Sequence, residues 1–181
     1  MPHIHTQPHQ HDHTVTAYII RTDGNEPKAL LHMHKKLSKL LAIGGHIELD
    51  ETPWGAVSHE ITEESGYRLS DLDVLQPKER ISALTGVILH PYPLVMNTHG
   101  IGDDHWHTDT SYGFVAHGEP TLSVVDGESA DLRWYTRAEL RQLSPKEVSQ
   151  NTQQTYEFMF EGPLNSWDKV NTSYYDTSKS I

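Results

Sequence analysis

The sequence contains no cysteine, and this absence excludes disulfide bonds, a thiol nucleophile and a zinc–thiolate centre. Basic residues are also scarce, because 14 Lys and Arg stand against 25 Asp and Glu, a net charge of −11 with neutral histidines. A protein that binds nucleic acid along the phosphate backbone needs a basic surface. The charge balance therefore argues against bulk binding of nucleic acid.

Long apolar runs are missing as well. No segment approaches the roughly 18 consecutive apolar residues of a membrane-spanning helix. The first residues lack the basic start and apolar centre of a secretory signal. We therefore expect no membrane partner and a cytoplasmic protein. A chain of 181 residues, against a prior of roughly 150 residues per domain, predicts one domain with a single sizeable core.

Histidine, by contrast, is abundant, with 14 copies. Five of them lie in the first 13 residues without apolar periodicity, which predicts a flexible histidine-rich arm over residues 1–12. The domain follows over 13–162, and a polar tail over 163–181. His9, His11 and His13 alternate, so an extended strand would point all three to one face, where they can hold Ni²⁺, Cu²⁺ or Zn²⁺. The alternative is a mobile arm that binds metal only adventitiously.

Segments rich in β-branched and aromatic residues predict a mixed sheet with packed helices, in the α/β or α+β class. A strand, a turn and a partner strand open the domain, and a short apolar run then meets Gly44 and Gly45. A helix starts near Thr136, and a longer one runs from a Ser144 cap to Gly162. The expected strands cover residues 13–22, 28–36, 37–48, 110–118 and 131–136.

The clearest helix prediction covers Pro53 to Ser65. Thr52 is a good N-cap, Pro53 suits the first helical position, and Gly66 suits the residue just past the end.

This helix carries three glutamates, Glu60, Glu63 and Glu64, at spacings i, i+3 and i+4. Their side chains form one patch about one turn long, and three like charges there repel one another. The patch is either a fully solvated acidic face or a ligand set for a hard cation such as Mg²⁺ or Mn²⁺.

The surrounding segment, GHIELDETPWGAVSHEITEESGY, resembles the signature of the Nudix hydrolases over 23 residues. Two positions depart from it, since His59 stands where the family has Arg and Tyr67 where it usually has an aliphatic residue. The order of strands and the closing helix also resembles the α/β/α sandwich of that family, with a mixed sheet, over most of residues 13–160. The positions of the signature fall on Gly45, Glu51, His59, Glu60, Ile61, Glu63, Glu64, Gly66 and Tyr67, and all but His59 and Tyr67 match it.

The resemblance implies a pyrophosphohydrolase that cleaves a diphosphate bond in a nucleoside diphosphate derivative or related small molecule. Glu60 and Glu64 would be the main ligands of Mg²⁺ or Mn²⁺, with Glu63 close by and the Gly45 carbonyl completing the set. Water attacks phosphorus, and Glu63 or Glu60 takes its proton. Glu128 is the distal candidate for this base, although it is equally interpretable as an exposed loop acid.

His59 leaves the activity open. The family's Arg is taken to hold Glu51 by a charge-assisted pair, whereas histidine has fewer donors and titrates near neutral pH. The alternatives are a weak or inactive Nudix-fold module that binds a nucleotide, and a metal-binding protein centred on its histidines.

Substrate contacts are predicted in two regions outside the signature. Lys35 and Lys39, beside Lys36, can attract phosphate by charge, or they form a solvated hairpin tip. His105, His107 and Asp109 alternate before a strand and can contact substrate or metal, or form an exposed edge. Trp106 is the candidate for stacking on a nucleobase. Trp167, Tyr174 and Tyr175 in the tail can pack on a neighbouring subunit, which makes a homodimer one interpretation, and a disordered tail is the simpler alternative.

Overall fold

A computed structural model describes residues 6–7, 9–102 and 105–175, which form one mixed nine-stranded sheet with helices on both faces. Two 3₁₀ turns, Leu69–Asp71 and Thr172–Tyr174, complete the elements. The helices are α1 (Pro53–Ser65), α2 (Arg137–Gln142), α3 (Gln150–Glu161) and α4 (Pro163–Ser166). The strands are β1 (His11–Arg21), β2 (Lys28–His34), β3 (Lys39–Leu41), β4 (Ile43–His46), β5 (Leu72–Gln76), β6 (Val95–Ile101), β7 (His105–Ala116), β8 (Leu132–Thr136) and β9 (Asp168–Asn171).

The centre of the sheet is a parallel ladder between β1 and β7, which pairs every residue of β1 from His11 to Arg21. From it the sheet extends in the order β3-β2-β1-β7-β5-β9, while β4 pairs with β1, β6 with β7 and β8 with β2. The predicted hairpin between β1 and β2 is confirmed by the antiparallel pair Ile20 and Ala29. The predicted strand over 37–48 is two strands, β3 and β4.

Each face of the sheet has its own apolar core because side chains alternate along a strand. On one face, Trp54 and Ile61 of α1 pack with Val15 and Phe114. On the other, Tyr156 of α3 packs with side chains that include Tyr18 of β1. The mixed sheet between helices confirms the predicted α/β class and the α/β/α layering.

Helix α1 begins and ends where the sequence predicts. The hydroxyl of Thr52 accepts a hydrogen bond from the Gly55 amide, Pro53 opens the first turn, and Gly66 adopts the left-handed conformation at φ 72°. A Cβ on Gly66 would overlap the carbonyl oxygen of Leu122, so only glycine fits there.

Helix α3 begins later than predicted. Ser149 caps it, and Ser144 instead closes an isolated turn in which the Glu147 carboxylate accepts from the Ser144 amide. The reason is tertiary, since Val148 is fully buried and forms a parallel bridge with Leu40, which keeps the chain extended before Ser149.

The segments predicted as arm and tail contribute in part to the sheet. His11 and Asp12 lie in β1, and β9 pairs with β5. Trp167 packs on the core under α3, and the Tyr175 ring lies 5.7 Å from that of Trp54, whereas Tyr174 is 74% exposed. Residues 1–5 and 8 of the arm and 176–181 of the tail lie outside the described residues. None of the described helices has the length and apolar character to span a membrane.

Candidate functional site

The carboxylates of α1 meet strand β4 at its two glycines. The Gly44 amide donates a hydrogen bond to Glu64 Oε2 at 3.0 Å. A Cβ on Gly45 would overlap the carboxylate of Glu60, so a side chain at 45 would displace that group. The glycine pair predicted from the sequence therefore allows two helix carboxylates to lie directly against a strand backbone.

Burial dominates the electrostatics of this pair. It raises the pKa of Glu64 to about 8, with a smaller opposing effect from the Gly44 hydrogen bond and further increases from Glu60 and Glu128. Burial likewise raises the pKa of Glu60 to about 7, against the lowering effect of His59. Two buried carboxyls this close hold protons near neutral pH unless a cation offsets their charge.

The donor set fits a hard divalent cation. All the candidate ligand atoms, from Glu60, Glu63, Glu64 and the Gly45 backbone, are oxygens, which Mg²⁺ and Mn²⁺ prefer. His32 Nδ1 lies 3.8 Å from Glu64 Oε1, but burial lowers the pKa of His32 to about 4. The ring is therefore neutral at pH 7 and does not supply the missing positive charge.

His59 lies between two glutamates. Its Nε2 is 2.9 Å from Glu63 Oε1, and its Nδ1 is 3.5 Å from Glu51 Oε1. The Glu51 side chain is only 1% exposed, whereas His59 is 46% exposed. Partial burial lowers the pKa of His59, but the hydrogen bond and charge of Glu63, with Glu51 and Glu60, outweigh it and raise the pKa overall. His59 thus contacts Glu51, the glutamate that the usual arginine is taken to hold, and it also contacts Glu63.

The loop between β7 and β8 brings Glu128 to the same carboxylates. The Val125 amide donates to the Glu63 carbonyl at 3.0 Å, and Leu122 donates to Gly66 at 2.9 Å, which satisfies carbonyls at the end of α1. Lys35 Nζ donates to the Gly127 carbonyl at 2.7 Å. Glu128 is exposed but close enough to raise the pKa of both buried glutamates.

The other residues predicted to contact substrate do not lie together in the structure. Lys35 is bound to the loop backbone, and Lys39 lies on β3 opposite His34. Trp106 is 42% exposed and stacks on His11 at 6.3 Å between ring centroids. Because neighbouring side chains alternate, Trp106 lies on the opposite face of β7 from His105 and His107.

His105 and His107 instead belong to a second cluster, with Asp12 and His46. One ligand atom from each of these four residues lies within 4.8 Å of all the others. His105 Nε2 is 3.1 Å from Asp12 Oδ2, and the rings of His46 and His107 are 4.8 Å apart. The strand register explains this convergence, because Asp12 of β1 pairs directly with His107 of β7.

One imidazole of this cluster, that of His107, is neutral at pH 7. Burial, together with the neighbouring His46, His99 and His105, lowers the pKa of His107 to about 4 against the opposing effect of Asp12. Neutral imidazoles present nitrogen lone pairs, which are metal ligands.

Sequence reasoning missed Asp12 and His46 and grouped Asp109 with His105 and His107. Asp109, the third member of the predicted alternating set, accepts hydrogen bonds from Thr14 Oγ1 at 2.9 Å and Thr16 Oγ1 at 2.8 Å, so it ties β7 to β1. The one clue to Asp12 in the sequence is the alternation of side chains along a strand, which places Asp12 and its two neighbouring histidines on opposite faces. Asp12 lies between His11 and His13, which are exposed on the face that Asp12 does not share.

Comparisons with known proteins agree with this geometry. The sequence profile of the NUDIX domain matches residues 12–158. A NUDIX-family hydrolase from Clostridium perfringens superposes with a TM-score of 0.66 at 27% identity, covering 85% of this chain and 99% of that one.

Two further solved structures resemble the fold at lower identity. The NUDIX domain of Shewanella oneidensis NrtR, complexed with ADP ribose, has a TM-score of 0.61 at 16% identity over 84% of this chain and 88% of its own. The Ap4A hydrolase of C. elegans has a TM-score of 0.60 at 10% identity over 84% and 98%. No curated protein sequence matches this chain significantly.

Proposed function

The chain belongs to the Nudix family as a pyrophosphohydrolase, and we propose that it cleaves the diphosphate bond of a nucleoside diphosphate derivative, or of a related small molecule, with Mg²⁺ or Mn²⁺. One observation carries the proposal. Glu60 and Glu64 are brought together against Gly44 and Gly45, and their pKa values rise to about 7 and 8. Such a pair is costly to ionise without a cation and well suited to hold one.

In this proposal Glu60 and Glu64 hold the divalent ion, with Glu63 and the Gly45 carbonyl beside them. The ion supplies positive charge that offsets the negative charge developing on the phosphoryl oxygens. Gly45 keeps the Glu60 carboxylate pressed against β4, because no side chain occupies that space.

Glu63 takes the proton of the attacking water. It is half-exposed, at 41%, and His59 fixes one of its oxygens at 2.9 Å. The other side of the His59 ring faces the buried Glu51, so the ring is held from both sides. Glu128, carried by the loop that hydrogen-bonds to α1, is the alternative base, since it is exposed and electrostatically close to the buried pair.

The substrate class is proposed from two sources. ADP ribose and Ap4A, named for two structural neighbours, are nucleotides with P–O–P linkages. The net charge of −11 favours a small substrate that reaches the site with a divalent ion over a polyanion. Lys35, Lys39 and Trp106 remain candidates for substrate contact outside the helix, whereas His105 and His107 lie on the face of β7 opposite to Trp106.

A substrate panel tests the proposal. Purified protein is incubated with nucleoside diphosphate derivatives and Mg²⁺ or Mn²⁺, and products are read by mass and phosphate release. We expect monophosphate products and a fall of about 100-fold or more in kcat/KM for Glu64→Gln, which removes a carboxylate that holds the divalent ion acting on the phosphoryl group. Glu26→Gln, in an exposed loop, is the matched control and should keep full activity.

A nucleotide-binding module without turnover is the rival. It predicts that ligands of the panel raise the melting temperature while no product forms under either metal. That outcome, or full activity of Glu64→Gln, would contradict the proposed hydrolysis at this site.

A further inference from the structure

We propose that Asp12, His46, His105 and His107 form a second metal site, which takes a borderline divalent ion such as Zn²⁺ through three imidazole nitrogens and one carboxylate oxygen. This site is separate from the carboxylates of α1 and does not depend on the proposed hydrolysis.

The first argument is geometric. With zinc–ligand bonds of about 2.0–2.1 Å, neighbouring ligands of a tetrahedral ion are about 3.4 Å apart. In the cluster, Asp12 Oδ2 lies 3.1 Å from His105 Nε2 and 3.9 Å from His46 Nε2, and all four ligand atoms fall within 4.8 Å of one another. Small side-chain rotations therefore suffice to place four atoms around one ion.

The second argument concerns direction. His105 Nε2 is buried and close to Asp12 Oδ2, yet among the described residues it makes no hydrogen bond of acceptable angle. Two polar atoms that approach closely without aligning on each other have the relation of two ligands that point at a common third atom. A hydrogen-bonded pair would instead align donor and acceptor.

The third argument is the choice of ligands. The α1 site offers only oxygens, whereas this cluster offers three nitrogens and one oxygen, the set that zinc and other late first-row ions prefer over Mg²⁺. The Asp12 side chain is 2% exposed and those of His105 and His46 are 13% and 19% exposed. A carboxylate this deeply buried among imidazoles gains from a cation held between them.

The strands keep the two sites apart. On β1, side chains alternate between the two faces, so Asp12 lies on the same face as Tyr18, which packs under α3. Val15 lies on the other face and packs under α1. On β4, Gly45 faces Glu60, so His46 faces the opposite side. The cluster thus lies on the α3 face of the sheet.

The test uses untagged full-length protein, stripped with a chelator and titrated with Zn²⁺ in the presence of excess Mg²⁺. We expect one tight equivalent in the wild type. His107→Ala should bind more than about 100-fold more weakly, since losing a residue that only supports a ligand already costs about 10- to 100-fold. Co²⁺ in place of Zn²⁺ should give the intense visible absorption of a tetrahedral site.

Two control variants locate the binding. The double variant His11→Ala/His13→Ala changes exposed histidines of the same strand and should bind Zn²⁺ as the wild type does. Glu64→Gln should also bind normally, although it loses hydrolysis. Asp12→Asn keeps the shape of the side chain and removes its charge, so it tests the site if His107→Ala fails to fold.

The proposal is overturned if the wild type binds no tight equivalent, or if binding survives both His107→Ala and Asp12→Asn. It is also overturned if the histidines of the arm, rather than the cluster, account for the binding. Mg²⁺-dependent hydrolysis measured on the same samples reports on the other site, so failure of one proposal is distinguishable from failure of the other.

Discussion

The two faces of the central sheet carry polar clusters of opposite chemistry. Under α1 lie carboxylates that repel one another, and on the α3 face lie imidazoles around a single carboxylate. Neighbouring residues of β4 divide between them, because Gly45 contacts Glu60 while His46 joins Asp12. Strand alternation therefore allows two adjacent residues to serve two sites without sharing an atom.

The faces also differ in what they cost the protein when no ion is bound. Glu60 and Glu64 must either hold protons or ionise against each other, so their face loses stability as the carboxyls ionise. On the other face the His107 imidazole, whose pKa is about 4, is neutral at pH 7 and destabilises the fold only when acid protonates it. The same pH change should therefore act on the two faces in opposite directions.

The largest expected effect is a loss of folding stability at alkaline pH when a chelator keeps the protein free of metal. The folded pKa of Glu64 is about 8, against an ordinary value of 4.5, so the folded state prefers the protonated carboxyl. Its contribution to folding is complete below about pH 4.5 and is lost as pH rises through 8. Since one pKa unit corresponds to about 1.4 kcal/mol, the free energy of unfolding should fall by a few kcal/mol.

Denaturant unfolding of the metal-free protein at several pH values measures this loss. Glu64→Gln resembles the protonated carboxyl in shape and charge, so it should flatten the slope and be more stable than the wild type above pH 8. Added Mg²⁺ should restore the stability of the wild type at high pH but should not change that of the variant. Equal slopes for the two proteins would contradict this description of the α1 face.

The next effect is that of Gly45→Ala, which changes β4 on the α1 face only. The new methyl group would displace the Glu60 carboxylate. Because a misplacement of about 1 Å can cost about 100-fold in rate, we expect kcat/KM to fall by about 10- to 100-fold. Gly24→Ala, in a loop where the added atom would make only an ordinary contact of 3.9 Å with the Glu26 carbonyl oxygen, is the control. If Gly45→Ala also removed Zn²⁺ binding, the two faces would not be independent.

A smaller effect belongs to the α3 face in acid. The folded pKa of His107 is about 4, below its ordinary 6.5, because of burial and the neighbouring His46, His99 and His105. Its contribution to folding is therefore complete above pH 6.5 and is lost as pH falls towards 4. Solvent screens part of this, so the loss should be about 1 kcal/mol.

The acid limb is measured by melting metal-free protein between about pH 7 and 4. His107→Gln should reduce the slope, whereas His13→Gln, exposed on the other face, should leave it unchanged. A residual slope is expected from His32, whose pKa is also about 4. An unchanged slope in His107→Gln would show that the cluster does not lower the pKa of His107.

The smallest change is expected from His59→Arg. Arginine donates to carboxylates through a planar fork and stays charged, so it should hold Glu51 and Glu63 more firmly and raise kcat by about two- to fivefold. The pH profile of kcat should also flatten near neutrality. A clear fall in kcat would show instead that histidine at this position is an adaptation of this chain.

The site under α1 could be predicted from the sequence because its residues lie close together along the chain. Thr52, Pro53, the three glutamates and Gly66 follow one another in a single helix, so their spacing already determines which side chains meet. The position of Glu128 was predictable only in outline, since the loop that carries it depends on backbone bonds to α1.

The α3 face could not be predicted in the same way. Asp12, His46 and His107 come from three strands, and their meeting depends on the register of β1 with β4 and β7, which local pattern does not determine. The start of α3 was misplaced for a related reason. Ser144 and Ser149 both have the local chemistry of a helix cap, and the pairing of Val148 with Leu40 chose between them.

The parallel ladder of β1 and β7 has a consequence for the order of events during synthesis. Thr14 and Asp109, which are bonded across it, are 95 residues apart. β1 emerges from the ribosome long before β7, its main partner, has been synthesised. Sheets built from such distant pairings form slowly. The apolar stretch around Ile19 and Ile20 is therefore exposed on the nascent chain for much of translation, where it is a natural substrate for chaperones.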